Sequence, residues 1–359
     1  LVIRYTAAFA IGSFLNDTPT PLTRTEDKSI FASMKVHDYR CLWIGMLASA
    51  FALNMQLVAQ GWLVYEMTSS AINLTWVTLS FMLPQVVFSL LGGVLADRVR
   101  KKPLIGWTPV INGVATLAMG GVIMSGHVTF WDFIWVGALN GTVLSLSIPA
   151  RTALIPEVVG EPLMFNAMAF NTASWNLSRI LGPALAGFMI AIFADGDTSS
   201  TFGVGLVYFL LSILYFISAL SILFLKHEGR PVPGERKSPM AETADGLRYV
   251  MNSPIVGGLI LLSILPFLFG LTINTLLPAF STDVLRGGPD DLGFLMTGMG
   301  GGAIIGSLAL AKMGNVRNKG YWLIATGALW GLLVALFALS ETFITATVCI
   351  ALIGFISAV

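Results

Sequence analysis

The 359-residue chain is 55% apolar and only 11% charged, with a formal net charge of +1. That balance supplies no basic surface for nucleic acid, and two cysteines far apart, Cys41 and Cys349, supply no disulfide framework. The apolar residues are gathered into runs longer than a soluble core needs, which points to lipid as the solvent.

The opening segment differs from the rest. Tyr5–Leu15 is apolar but too short to span a bilayer, and Asn16–Ser29 is polar and turn-rich. Residues 1–39 are expected to form a disordered cytoplasmic arm, without the cleavage-like site of a signal peptide. The chain begins with Leu and stops inside an apolar run at Val359, so it reads as a fragment at both ends, with extraneous residues before Met34.

About ten apolar runs follow, each near the ~20 residues that a spanning helix needs. They are Leu42–Tyr65, Ile72–Leu95, Leu104–Ser125, Phe130–Ile148, Phe165–Phe193, Phe202–Leu225, Ile255–Phe280, Leu292–Ala311, Tyr321–Leu339 and Phe343–Val359. Lipid offers no water to pair backbone groups, so each run must close its own hydrogen bonds as an α-helix. The expected fold is an all-α, polytopic transmembrane bundle. Trp43 and Trp62 bracket the first span, ~19 residues or roughly 28 Å apart, as interface anchors would.

Basic residues fall on alternate connections. Arg24, Lys28, Lys35 and Arg40 lie before the first span, and Arg98, Arg100, Lys101 and Lys102 lie between the second and third. Arg151 follows the fourth, Lys226, Arg230, Arg236, Lys237 and Arg248 follow the sixth, and Lys312, Arg317 and Lys319 follow the eighth. The other connections are acidic, with Glu66, Asp132, Asp195, Asp197, Asp283, Asp290, Asp291 and Glu341; only Arg286 breaks the rule. Excess Lys and Arg mark the cytoplasmic side, so the N-terminus is placed inside and the protein in the cytoplasmic (inner) membrane. A reporter active only outside is expected to work when fused after Asp195 or Asp290 and to fail after Lys102 or Lys237. The reverse result at any of the four would break the span count.

The segment Lys226–Ser253 is charged and carries Pro231, Pro233 and Pro239. It separates six spans from four, which suggests two six-helix halves of a transporter-type repeat. The expected units are an N-terminal half over 40–226, a cytoplasmic central loop over 227–253 and an incomplete C-terminal half over 254–359.

Catalytic chemistry finds no residues to carry it. There is no Ser-His-Asp or Cys-His grouping, no phosphate-binding loop for ATP, and no zinc spacing around His37, His127 or His227. Neither an enzyme nor a cofactor is expected. The run Gly298–Ala303 fits a dinucleotide fingerprint, but it lies inside an apolar span rather than after a strand. Gly298, Gly302 and Gly306 instead form a small-residue stripe that admits a neighbouring helix, as do Gly137, Gly141 and Ser145.

Arg179 is the one charge deep within a span, where it is costly unless it faces water or a partner. Asn171, Trp175 and Arg179 are spaced to share a helix face, and Pro183 leaves the Arg179 carbonyl free and favours a kink. The three are candidates for a substrate cavity. Gln56, Gln60 and Asn274 are candidates too, although a packed polar seam explains the glutamines equally well.

The segment from Gly93 to Lys102, with Asp97, Arg98, Arg100 and Lys101, resembles the signature loop of the major facilitator superfamily. Pro149–Arg151 with Leu154–Glu157, the stretch Asn176–Gly187 containing Gly182, Pro183 and Gly187, and Trp62–Thr68 are similar to its enterobactin-exporter and macrolide-efflux branch. The resemblance runs from Ile30 to Val359. It implies twelve helices, alternating access, and export of a drug-like amphiphile or siderophore driven by proton entry. It also implies that Asp97 closes the inside face, with Arg151 as its cation and a helix of the other half opposite. The chain departs from the pattern at Arg100, where glycine is usual, and at Leu310, where an acid would align. No carboxylate lies in mid-span, so proton coupling is implied by the resemblance alone.

The expected function is a secondary active exporter acting as a monomer in the lipid bilayer, with a small-molecule substrate and a coupling proton as partners. A non-transporting receptor or scaffold on the same fold is the alternative, because fold alone does not decide function.

Overall fold

The computed structural model describes residues 31–193, 201–229, 248, 250–313 and 319–358. The chain is a multi-pass helical membrane protein, and its described residues form a short 3-10 turn, Ser33–Lys35, and ten long helices. These are α1 (His37–Thr68), α2 (Ala71–Arg98), α3 (Lys101–Met124), α4 (Phe130–Val159), α5 (Glu161–Phe193), α6 (Thr201–Leu223), α7 (Pro254–Asp283), α8 (Pro289–Met313), α9 (Lys319–Ala338) and α10 (Phe343–Ala358). Seven of them, α1 to α6 and α8, carry stretches long and apolar enough to cross a membrane.

Most of the expected spans coincide with helices, but the connection after the fourth does not exist as a loop. Basic Arg151 is expected on a cytoplasmic connection after Ile148, whereas α4 continues through Pro149 and Pro156 to Val159. Membrane helices accommodate proline because neighbouring helices and hydroxyl side chains satisfy the freed backbone groups. A single residue, Gly160 at φ +73°, then turns the chain into α5. That backbone region strains any residue with a Cβ. Thr129 and Asp132 form a reciprocal capping box that fixes the opposite end of α4.

The end of the expected disordered arm is ordered. The Ser33 side chain is buried, its N–H donates to Asn166 Oδ1 at 3.0 Å, and the Phe31 ring lies 5.6 Å from that of Phe170. The Ser33 hydrogen bond and the Phe31–Phe170 ring contact hold this segment against α5. Residues 1–30 and most of the central loop lie outside the described residues.

Within 31–229, α2 packs along α4, α3 along α6, and α1 against α5 and α6. Glycines set the closest approaches. A Cβ on Gly141 would overlap the Phe81 carbonyl oxygen, and one on Gly182 would lie 3.0 Å from Asn54 Cβ. In 250–358, α8 and α10 meet along the expected stripe: a Cβ on Gly302 would overlap the Ala351 oxygen, and one on Gly306 the Phe355 oxygen. Gly298 is in ordinary contact with Thr347. Small residues bring helix backbones together where lipid provides no hydrophobic drive for association.

Trp62 is not an interface anchor. It is 4% exposed in the main apolar core, and Trp43 donates Nε1–H to the Phe170 carbonyl at 3.3 Å. Both tryptophans belong to α1, which packs against several other helices, so its register is set by protein rather than by headgroups.

The two bundles join through α5 and α8, with smaller contacts of α7 to α1 and α2. At this joint Gly187 faces Pro289 and Gly293, Gly293 faces Pro183 and Ala184, and Gly300 faces Ile180. Thr297 Oγ1, which donates to the Gly293 carbonyl of its own helix at 2.7 Å, lies 3.2 Å from the Ile180 carbonyl, and the Phe188 and Phe294 rings meet edge-on at 4.8 Å. The Tyr65 hydroxyl donates to the Asp283 carboxylate, tying α1 to α7. These contacts lie toward the C-terminal end of α5 and the N-terminal end of α8, far along the helices from Lys101 and Glu157.

Candidate functional site

A cavity of about 70 Å³, partly open to solvent, lies inside the N-terminal bundle. α1 contributes Met46, Ser49, Ala50 and Leu53, α2 contributes Phe81, and α3 contributes Thr108, Pro109 and Asn112. α4 supplies the longest wall, from Asn140 through Ser147 and Arg151 to Thr152; Asn171 and Trp175 face it from α5, and Tyr215 from α6.

Arg151 is the charge in this cavity. Its Nε donates to Ser147 Oγ at 2.9 Å, and Nη1 approaches Ser49 Oγ at 3.4 Å. Thr108 Oγ1 also donates to Ser147 Oγ, at 3.1 Å, and Ser49 Oγ donates to Ser218 Oγ at 2.8 Å. Hydroxyls from α1, α3, α4 and α6 thus hold the guanidinium in place. Among the described residues, no carboxylate lies within ion-pair distance of it. Arg151 therefore sits on a helix wall rather than in the connecting loop expected for it. The side chain of Asp97 falls outside the described residues, and with it the expected Asp97–Arg151 closure.

Of the three α5 candidates, Asn171 and Trp175 line the cavity and Arg179 does not; it is exposed, immediately before the α5–α8 joint at Ile180. Eight residues advance an α-helix by about 80° beyond two full turns, so spacing by eights does not hold a common face. Gln56 is 5% exposed and forms a seam with its neighbours rather than a cavity wall: Asn140 Nδ2 donates to its Oε1 and its Nε2 to Gln60 Oε1, both at 3.4 Å. Asn274 is half-buried on α7, away from the cavity.

The signature-loop cations have distinct partners. Lys101 is 1% exposed, and its Nζ meets Glu157 Oε1 at 2.7 Å. Arg100 pairs with Glu228 at 3.2 Å, and Lys102 Nζ donates to the Leu225 carbonyl at the end of α6. Backbone N–H groups of Lys101 and Lys102 donate to the Gly229 and Glu228 carbonyls, so the start of the central loop caps α3. Asp38 accepts from the backbone N–H groups of Lys226 and His227, and His227 Nε2 lies 3.3 Å from Glu157. Arg98 is exposed and Gly93 half-buried, with nothing near its missing Cβ.

Several cavity residues were not singled out from sequence: Ser49, Phe81, Thr108, Asn112, Asn140, Ser147 and Tyr215. Asn112 and Asn140 carried a usable signal, since an amide inside an apolar span is costly without a partner. The hydroxyls carried none, because serine and threonine commonly bond back to their own helix.

Residues 28–357 match the family model described as transmembrane secretion effector. Enterobactin exporters of Shigella boydii and Escherichia coli are 28% identical over 331 residues, 91% of this chain and 76% of theirs. Among solved structures, an inward-facing bacterial homologue of the human lysosomal transporter Spinster superposes with a TM-score of 0.64 at 15% identity, covering 89% of this chain and 74% of that one. An inward-facing bacterial homologue of the iron transporter ferroportin does so with a TM-score of 0.64, also at 15% identity, covering 89% and 81%.

Proposed function

The chain belongs to the transmembrane secretion effector family of the major facilitator superfamily, and on that premise we propose that it exports a small molecule from the cytoplasm by alternating access, driven by proton entry. The observation that carries this reading is the cavity walled by α1 to α6 with Arg151 on its wall, in a bundle that among the described residues meets the second bundle chiefly through α5 and α8. If the N-terminus is inside, as the basic residues favour, the α5–α8 joint is the outer end and acts in this reading as the outer closure. Rocking one bundle on the other would exchange that joint for a closure on the side of Asp97 and Lys101.

Similarity to enterobactin exporters supports the direction of transport and a substrate of modest size. For coupling, Asp132 is committed to the α4 cap, whereas Asp283 accepts the Tyr65 hydroxyl across the joint. Asp283 is thus the described carboxylate whose protonation would alter a contact between the bundles. Export from cells is expected to stop when the proton gradient is collapsed and to continue when ATP is depleted at constant gradient. Export that persists without any ion gradient would refute secondary active transport.

A further inference from the structure

Segments outside the long helices usually run exposed over a surface, yet just ahead of α1 Ala32 is 4% and Ser33 0% exposed. Their hold is on residues 166–170, in the second and third turns of α5. The Ser33 N–H donates to Asn166 Oδ1 at 3.0 Å, and the Phe31 ring lies 5.6 Å from that of Phe170. From the first turns of α1, the Tyr39 hydroxyl donates to the Ala167 carbonyl at 2.7 Å, and the Trp43 ring meets Phe170 edge-on at 6.3 Å. Phe170 is thus gripped by one ring of the segment and one of α1. Met34 and Val36 pack on a second apolar core that takes Tyr39, Ala96, Ile105, Leu154, Ala167 and Ile222, one from each of α1 to α6. Among the described residues this core receives nothing from α7 to α10, whereas the main core runs through both bundles. The inner end of α5 is therefore held from one side only, and on its open side Phe165 and Met168 are exposed.

We propose that residues 31–36 are a positioning strap: with Tyr39 and Trp43 they fix the rotation of the inner end of α5, and so place Asn171 and Trp175 on the cavity wall. Asn171 follows Phe170 directly, and Trp175 lies about one turn further on, so a helix that turns at Phe170 carries both away from the cavity. No transported molecule is needed to test this, and the outcome is independent of the exporter reading.

Two reporter proteins read the rotation, each the full chain in detergent with Cys41→Ser and Cys349→Ser. One carries Asn171→Cys on α5, and the other carries Thr152→Cys on the α4 wall of the same cavity. A small water-soluble methanethiosulfonate is the probe. Combining Phe31→Ala with Asn166→Ala removes one ring contact and one hydrogen bond of the strap. Modification at position 171 should then run at least about fivefold faster, because its rate follows the loosened fraction of the protein. Modification at position 152 should keep the parent rate, and Phe31→Tyr, which retains the ring, should leave both reporters unchanged. Phe31→Ala alone alters a ring that is 61% exposed, so it carries the test if the double variant fails to fold; its smaller acceleration should again be confined to position 171. Equal acceleration at both positions would mean general loosening of the bundle and would overturn the strap. Unchanged modification at position 171, or Phe31→Tyr behaving like Phe31→Ala, would overturn it as well.

Discussion

Gly187→Leu is expected to reduce transport to background while the protein still inserts and folds. The joint between the bundles depends on Gly187: a Cβ there would lie 2.5 Å from the Pro289 carbonyl oxygen and 3.1 Å from Gly293 Cα. Backbone stands opposite, so no side chain can rotate away, and the bundles must separate. Overpacking of a tight contact costs about 1–3 kcal/mol. When the bundles part at that end the contact no longer exists, so the penalty falls on one state only. The population ratio then moves by roughly 5- to 150-fold toward the outward-open form. A single cysteine at Thr297, with Cys41 and Cys349 replaced by serine, reads this out: an impermeant thiol reagent applied from outside should label it faster in the Leu variant. Unchanged transport and labelling would show that α5 and α8 do not form the moving joint. Gly302→Leu provides the contrast, since the α8–α10 contact lies within one bundle and its loss should lower folded yield instead.

Glu157→Ala is expected to destabilise the protein more than any other single change in the charged cluster. Lys101 is 1% exposed and its ammonium is paired with Glu157 Oε1 at 2.7 Å. Removing the carboxylate leaves a buried charge without its counter-ion, a loss of roughly 3–5 kcal/mol for fully buried pairs. Glu157 keeps 29% exposure, which places the cost toward the lower end. The same change frees His227, which lies 3.3 Å from the other carboxylate oxygen, so the start of the central loop should become more protease-sensitive. Thermal unfolding in detergent, monitored by tryptophan fluorescence, should show an earlier midpoint. The double change Lys101→Met with Glu157→Leu should recover most of the loss, because hydrophobic replacement of both partners is often neutral or better. A Glu157→Ala variant as stable as the parent would show that solvent or another acid satisfies Lys101.

Much of the architecture is legible in the sequence because its causes are local or one-dimensional. Lipid forces every long apolar run to be a helix, so helices were found wherever such runs lie. Small residues repeated every fourth position mark one face of one helix, and Gly302 and Gly306 do admit α10.

What failed or stayed hidden depends on which helices become neighbours. Arg151 reads as a loop cation by its charge, yet hydroxyls of its own helix and of α1 hold it on the cavity wall. Trp62 has the position of an anchor, but it lies on the face of α1 that packs into the protein core. Lys101 pairs with Glu157 across 56 positions of chain and Tyr65 with Asp283 across 218, separations that no spacing rule reaches. The sequence by itself determined that this is a helical membrane protein, because desolvation of the backbone acts on each segment separately. Tertiary structure decided where the cavity lies and which polar side chains face it, because those follow from the rotation of each helix against its neighbours and not from any property of the helix alone.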